Sequence, residues 1–293
     1  MKPRLLIVGA TGFVGSRWAQ AAAHEYEVIR AARHAPDAPG SISIDVTDAV
    51  SVRATFDRAQ PEYVTHLAAM SDIDRAERER DLAEAINLHG AVHVARECAR
   101  TGARMLYTST DAVFDGSKGI YYEHDLPTPL NWYGQTKARA EAAISELLPS
   151  AAIVRLSLVL GYGAQSGGNS YLEKVTGNLQ AGNQIISPTY EFRNPIDVAT
   201  LCEFFAELTP NRAATGIFQI GASDKMSRYD LALAIARRLG ADPQLIVAQT
   251  APVPGRAPRG LDDFMVTDRL RQVCRTAVPT CQQVIERAID AVA

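Results

Sequence analysis

Residues 5–15 read Leu5-Leu6-Ile7-Val8-Gly9-Ala10-Thr11-Gly12-Phe13-Val14-Gly15, and the fold follows from how they are read. Four consecutive apolar side chains predict a parallel strand buried on both faces. The run empties into three glycines spaced three apart. Gly9 lets the backbone turn out of the strand, Gly12 removes the Cβ that would block a pyrophosphate, and Gly15 lets the next helix pack closely on the sheet. That helix, predicted over roughly Phe13 to Ala23, aims its free N–H groups and the positive end of its dipole at the phosphates. Thr11, Phe13 and Val14 complete this candidate cofactor cradle. The spacing G-x-x-G-x-x-G departs from the commoner G-x-G-x-x-G, so its position, between a first strand and a helix, carries the reading.

Outward from the turn, strands and helices alternate. A second strand, Tyr26 to Ala32, ends at Arg33. An acid at this point would accept hydrogen bonds from the ribose hydroxyls of NAD, whereas a base pairs with the extra phosphate of NADP. Arg33 stands there, which favours NADP(H) over NAD(H). A third strand is predicted over Ser41–Val46, placing Asp45 and Val46 beside the adenine, with Thr47-Asp48 capping the next helix. The fourth, Tyr63 to Ala69, ends in Ala68 and Ala69, whose small side chains admit a close cofactor. His66 within it is expected to be a packed, hydrogen-bonded core residue. A long helix from about Leu82 to Arg100, carrying Asn87, closes at Gly102. The fifth strand, Arg104 to Ser109, delivers Ser109 and Thr110 to the carboxyl edge of the sheet, where ligands bind in open parallel sheets. Beyond a Pro-punctuated loop, Tyr133 and Lys137 stand four apart on one face of a helix.

A sixth strand, Ala152 to Leu160, leads into the connection Gly161–Gly168, where the domain change is placed. Residues 1–160 form a dinucleotide-binding domain with a return segment near 190–220. Residues 161–293 form mainly a smaller mixed α/β lobe. The βα alternation of the first half predicts an α/β fold built on a doubly wound parallel sheet of the Rossmann type.

Bulk properties agree. The 293 residues are 47% hydrophobic and 22% charged, with a net charge of −3, an ordinary globular composition that argues against nucleic-acid binding. No apolar run approaches membrane-spanning length and no secretory signal is evident, so a cytoplasmic protein without a membrane partner is expected. The four cysteines, Cys98, Cys202, Cys274 and Cys281, form no C-x-x-C pair, which predicts reduced, buried thiols and no structural metal.

Taken together and in order, GATGFVG (9–15), HLAAMSDIDRAE (66–77) followed by Asn87, STDAVFDG (109–116), LNWYGQTKARAE (130–141) and VRLSLVLG (154–161) resemble the extended short-chain dehydrogenase/reductases. The resemblance is nearest to their dTDP-4-dehydrorhamnose reductase-like branch, and it continues more loosely through FRNPIDVA and RAPRGLDDFMVTDRL. It implies a catalytic set of Thr110, Tyr133 and Lys137 about a nicotinamide, a nucleotide-sugar substrate and a homodimer. Ketone reduction needs a hydride at carbon and a proton at oxygen. A tyrosine of pKa about 10 is poorly matched to neutral pH, so Lys137 is expected to lower it, while Thr110 holds the carbonyl oxygen.

Three departures bear on the substrate. Met70 replaces the branch's usual histidine, Asp72 stands where a small or apolar residue is common, and Ala112 replaces the tyrosine of STDYVF. Met70, Asp111, Trp132, Arg193, Arg256 and Arg259 are the candidate substrate contacts, the tryptophan for stacking and the arginines for a diphosphate. The reading is an NADP(H)-dependent reductase of a 4-keto nucleotide-sugar. The alternatives are an epimerase or dehydratase with tightly bound NAD, and a non-catalytic, cofactor-binding regulatory subunit of a kind this branch includes.

Overall fold

The computed structural model describes residues 1–35, 39–163 and 170–291. In chain order, the first half contains β1 (Arg4–Val8), α1 (Phe13–Ala22), β2 (Glu27–Ala32), β3 (Ser41–Ser43), α2 (Ala49–Ala59) and β4 (Tyr63–His66). It continues with α3 (Ile73–Arg78), α4 (Arg80–Glu84), a π-helical turn (Ala85–Gly90), α5 (Ala91–Thr101), β5 (Arg104–Thr110), α6 (Trp132–Leu147) and β6 (Ala152–Leu156). The second half adds β7 (Val159–Leu160), α7 (Tyr171–Gln180), β8 (Ile185–Pro188), β9 (Phe192–Arg193), β10 (Ile196–Asp197), α8 (Val198–Leu208) and β11 (Gly216–Ile220). It ends with β12 (Met226–Ser227), α9 (Arg228–Arg238), β13 (Ile246–Gln249), α10 (Asp268–Val273) and α11 (Cys281–Asp290).

Seven strands form one parallel sheet in the order β11-β6-β5-β4-β1-β2-β3. The order reverses between β1 and β4, and in a doubly wound sheet that switch point opens a crevice at the strands' carboxyl ends. The central strands β1, β4 and β5 are buried along most of their length because both faces of the sheet are covered. On one side, Leu5, Ile7 and Leu106 pack with Trp18 of α1 and Phe204 and Phe205 of α8. On the other, Leu6, Val8 and Met105 pack with Phe56 of α2, Val94 of α5 and Ile144 of α6. A fully buried side chain of this size contributes roughly 1.5–3 kcal/mol, so these two layers dominate the stabilisation. Short strand pairs, β8 with β13, β9 with β12 and β7 with β10, organise the rest of the second half.

The expected elements form, with four differences. The third strand stops at Ser43, because the Asp45 carboxylate accepts hydrogen bonds from the Thr47 N–H (2.9 Å) and hydroxyl (2.7 Å) and bends the chain. The fourth stops at His66, and the next residues turn onto the glycine loop. The helix expected over 82–100 is interrupted by the π turn, where Asn87 is diverted to the Met70 backbone. The sixth strand splits, β6 remaining in the main sheet while β7 leaves to pair with β10. Most of the Gly161–Gly168 connection, from 164 onward, lies outside the described residues. All four cysteines are free and buried.

Candidate active site

Gly9 adopts φ 94°, a left-handed value that glycine alone takes without strain, and a Cβ on it would lie 2.7 Å from the Ala68 nitrogen. The turn and the end of β4 thus meet backbone to backbone, which is why Ala68 and Ala69 border the crevice. A Cβ at Gly15 would sit 2.2 Å from the Gly9 carbonyl oxygen, so this glycine seats α1 on the turn. Gly12 differs: a Cβ there would meet only the Gly9 oxygen, at 3.4 Å, so the protein leaves the space beside it open. Gly12 also provides no side-chain cap for α1, and no acid stands in its first turn. The N–H groups that every helix leaves unpaired at its start, here from Phe13 onward, are left for an anion.

Arg33 follows β2 and is exposed, with no ion pair among the described residues. The nearby Asp45 carboxylate is held below its usual range, first by the Thr47 hydroxyl and then by the Thr47 N–H. Val46 is buried in the core beneath this edge.

Asn87 does not present a free amide. Its oxygen accepts the Met70 N–H (2.8 Å), and its nitrogen donates to the Met70 carbonyl (3.3 Å) and the Thr136 hydroxyl (3.1 Å). In this structure Asn87 fastens the loop after β4 to the helix that carries Tyr133.

Thr110 and Tyr133 are brought together by the loss of a side chain at Gly134. A Cβ at that position would lie 2.1 Å from the Ala112 carbonyl oxygen, so the first turn of α6 rests directly on the 3-10 turn after Thr110. Asn131 fixes the start of α6 by accepting the Gly134 N–H (2.8 Å). The Thr110 hydroxyl stands close enough to the Tyr133 phenol to oppose the rise in its pKa. It also donates to Asp111 Oδ1 (3.1 Å) and accepts the Ala112 N–H (3.2 Å). Met70 packs with Tyr133 in a small apolar cluster that Ala112 and Trp132 border. Ser109, buried on the same strand end, has no partner for its hydroxyl among the described residues.

The electrostatics depart from expectation. Burial pushes the Tyr133 phenol up to about 12, with Thr110 acting in the opposite sense. Burial also lowers the Lys137 ammonium to about 7, partly offset by Glu141. Lys137 Nζ donates to the Thr108 carbonyl (2.6 Å) and lies 4.2 Å from the centre of the Tyr107 ring. The ammonium is thus spent on β5, and the expected lowering of the tyrosine pKa is not found. His66, stacked on Tyr107 with 5.7 Å between ring centres, is a packed core residue as expected, but not a hydrogen-bonded one: neither ring nitrogen has a partner among the described residues. Burial and then the Lys137 charge lower its pKa to about 3.

The candidate substrate arginines are already engaged. Arg259 grips Asp74 through Nη2 (2.7 Å) and Nη1 (3.2 Å), Arg256 pairs with Glu191 (2.8 Å), and Arg193 lies between Asp111 (3.4 Å) and Asp263 (3.1 Å). Trp132 donates its indole N–H to the Arg80 carbonyl (3.0 Å), and the Arg80 guanidinium lies 5.1 Å from its ring centre, so one ring face is covered. Asp72 caps α3 by accepting the Arg75 N–H (2.9 Å). These partners lie far apart in the sequence, which is why residue reading alone left the arginines free. Reading the sequence also missed Gly134, whose only signal is a glycine inside a helical pattern, and Asp263, the second of two adjacent acids in the run GLDDFMV.

A parallel sheet with a glycine turn at its switch point and a threonine, tyrosine and lysine at the adjoining carboxyl edge defines the extended short-chain dehydrogenase/reductase class. Within that class, residues 2–293 match the model of the family described as RmlD substrate binding domain, and the chain belongs to this family. It is 32% identical to dTDP-4-dehydrorhamnose reductase of Streptomyces griseus over 92% of this chain and 87% of the relative. It is also 31% identical to methionine adenosyltransferase 2 subunit beta of Pongo abelii, over 80% of this chain and 71% of that one. The crystal structure of dTDP-4-dehydrorhamnose reductase from Bacillus anthracis in complex with NADP superimposes with a TM-score of 0.90, at 26% identity, covering 99% of this chain and 100% of the other.

Proposed function

We propose that this protein is an NADP(H)-dependent reductase that converts the ketone of a 4-keto nucleotide-sugar to an alcohol. The observation that carries the reading is the seating of Tyr133 against Thr110 at the carboxyl edge of the sheet, beside a glycine turn whose open face suits a pyrophosphate. Gly9, Thr11, Gly12, Phe13, Val14 and Gly15 would hold the dinucleotide's phosphates. Arg33 would pair with a 2′-phosphate, in keeping with the NADP bound by the Bacillus anthracis reductase. Bound there, the reduced nicotinamide supplies the hydride.

The chain's own residues do the rest. A phenol raised to about 12 is fully protonated at neutral pH, so Tyr133 enters the reaction as an acid and gives its proton to the ketone oxygen. Thr110 donates a second hydrogen bond to that oxygen when it turns from Asp111, stabilising the developing charge. Lys137 holds the strand end through the Thr108 carbonyl and, once its Nζ leaves that oxygen, stabilises the phenolate left after transfer. Met70 and the space opened by Ala112 line the sugar side, and residues 161–293 form mainly the substrate lobe, with a return segment near 190–220. No helix among the described residues is long and apolar enough to cross a membrane, and the reading places the enzyme in the cytoplasm as a homodimer.

Purified protein is expected to consume NADPH when given a dTDP-4-keto-6-deoxysugar. Tyr133→Phe is expected to lower kcat by 100-fold or more while NADPH affinity holds; an unimpaired variant refutes the acid role. Asp111 is followed by Ala112 rather than by the second acid common in dehydratases, which disfavours dehydration. The likeness to methionine adenosyltransferase 2 subunit beta supports a second reading, a cofactor-binding subunit of another enzyme. Inertness toward every keto-sugar, together with stoichiometric recovery of a partner, selects it.

A further inference from the structure

Asp263 is fully buried, and neither carboxylate oxygen makes a hydrogen bond among the described residues. It comes from the 256–266 segment, which bridges to Phe192 at Asp262 and to Tyr121 at Met265. Gly260 packs so tightly under the carboxylate that a Cβ there would lie 2.1 Å from its Oδ1. The compensation for this buried acid is Arg193, whose Nη2 lies 3.1 Å from Asp263 Oδ2. The same guanidinium donates to the Gly260 (3.0 Å) and Phe192 (2.6 Å) carbonyls, so its plane is fixed. Its Nε then faces Asp111 Oδ2 at 3.4 Å, an oxygen that also accepts the Ser157 hydroxyl (3.4 Å). The other Asp111 oxygen takes the Thr110 hydroxyl.

We propose that Asp263 is a positioning residue for Thr110: acting through Arg193, it sets where the Asp111 carboxylate lies and therefore where the Thr110 hydroxyl points. The proposal deepens the reductase reading, on which Thr110's role in turnover rests, but the linkage itself exists without substrate. An acid kept only for packing gains nothing from this site. An apolar residue of similar volume would fill it without desolvating a carboxylate, whereas an acid sharing a guanidinium with a second acid ties the two positions together.

Titration of Asp263 is the handle on the linkage. Burial raises its pKa to about 8, Arg193 works against the shift, and Asp111, Asp262 and Asp115 add to it. Asp262 is itself paired with Lys225. At neutral pH the Arg193 charge is therefore matched by Asp111 alone. Above pH 8 Asp263 ionises and competes for the guanidinium, which loosens Asp111 and alters the pull on the Thr110 hydroxyl.

The test uses the full chain, with threonine methyl groups and aspartate carboxyl carbons labelled for NMR, and needs no substrate. A carboxyl resonance titrating near pH 8 is expected, and the Thr110 methyl shift is expected to follow the same curve. In Asp263→Asn both responses should vanish while Tm stays within a few degrees. A Thr110 methyl that stays flat across the titration, or that moves equally in Asp263→Asn, overturns the proposal. Kinetics form the second arm: Asp263→Leu should lower kcat tenfold or more with little change in KM, and Asp263→Asn should abolish a decline in kcat above pH 8. Wild-type kcat and pH profile in both variants overturn the proposal. Failure of wild-type protein to reduce any keto-sugar overturns the reductase reading instead, and the NMR titration still decides the linkage.

Discussion

Replacing His66 with phenylalanine tests how the polar layer beneath the site is held. The imidazole is 1% exposed, stacks on Tyr107 and leaves both ring nitrogens unpaired. Its pKa of about 3 in the folded protein compares with about 6.5 in an unfolded chain. Between those values the unfolded state binds a proton that the folded state refuses, so stability falls as the pH falls, by about 1.4 kcal/mol per unit. The loss begins near pH 6.5, reaches about 2 kcal/mol at pH 5 and approaches about 5 kcal/mol at pH 3. Asp263 works in the opposite sense over the same window. Its raised pKa means that the folded state holds a proton the unfolded state has lost, so its stabilisation grows as the pH falls. The informative quantity is therefore the difference between wild type and His66→Phe. Phenylalanine keeps the ring stack but has no group to titrate, and any overpacking by its larger ring moves the whole curve without changing the slope. Urea unfolding at pH 7, 6 and 5 should show the variant gaining on wild type by about 2 kcal/mol between pH 6.5 and pH 5. Parallel curves for the two proteins would show that His66 is protonated or hydrogen-bonded in the folded state, and the account of the layer would be wrong.

Three further outcomes follow from contacts in the structure. Glu141→Gln breaks the buried pair with Arg155 (2.7 Å) and should cost about 3–5 kcal/mol in denaturant unfolding, because a guanidinium 1% exposed is left without its counter-charge. Gly15→Ala places a Cβ 2.2 Å from the Gly9 oxygen, so the turn must shift; NADPH titration should show affinity reduced tenfold or more, with a lower Tm. Arg33→Ser removes the exposed guanidinium after β2 and should lower the preference for NADPH over NADH by about tenfold in kcat/KM, close to the 1.4 kcal/mol expected of an exposed charge-assisted contact.

Those features that depend on local chemistry were legible in the sequence. The strand-turn-helix at residues 4–22 follows from an apolar run and three glycines, and Gly102 ends its helix at φ 74° as a left-handed cap should. The placement of Thr110 at a strand end and of Tyr133 and Lys137 on the following helix was legible because both are local signals, whereas their proposed roles came from the resemblance. What stayed hidden depends on partners distant in the chain. Arg259 meets Asp74 across 185 positions, and nothing near either residue announces the other. The π turn arises because Asn87 bonds the Met70 backbone, 17 residues away. Lys137 illustrates a subtler case: its identity and face were predicted, yet the atom it serves, the Thr108 oxygen, depends on how deeply α6 sinks onto β5.

The contact of Gly134 with Ala112 also bears on how such enzymes diversify. Because the first turn of α6 rests main chain on main chain against the turn after Thr110, the spacing of Thr110 and Tyr133 is set apart from most of the excursion that joins them, residues 114–128. That excursion can lengthen, shorten or change its surface chemistry from one descendant to the next while Thr110 and Tyr133 stay in register. A single missing methyl thus separates the evolution of recognition from the conservation of reaction chemistry.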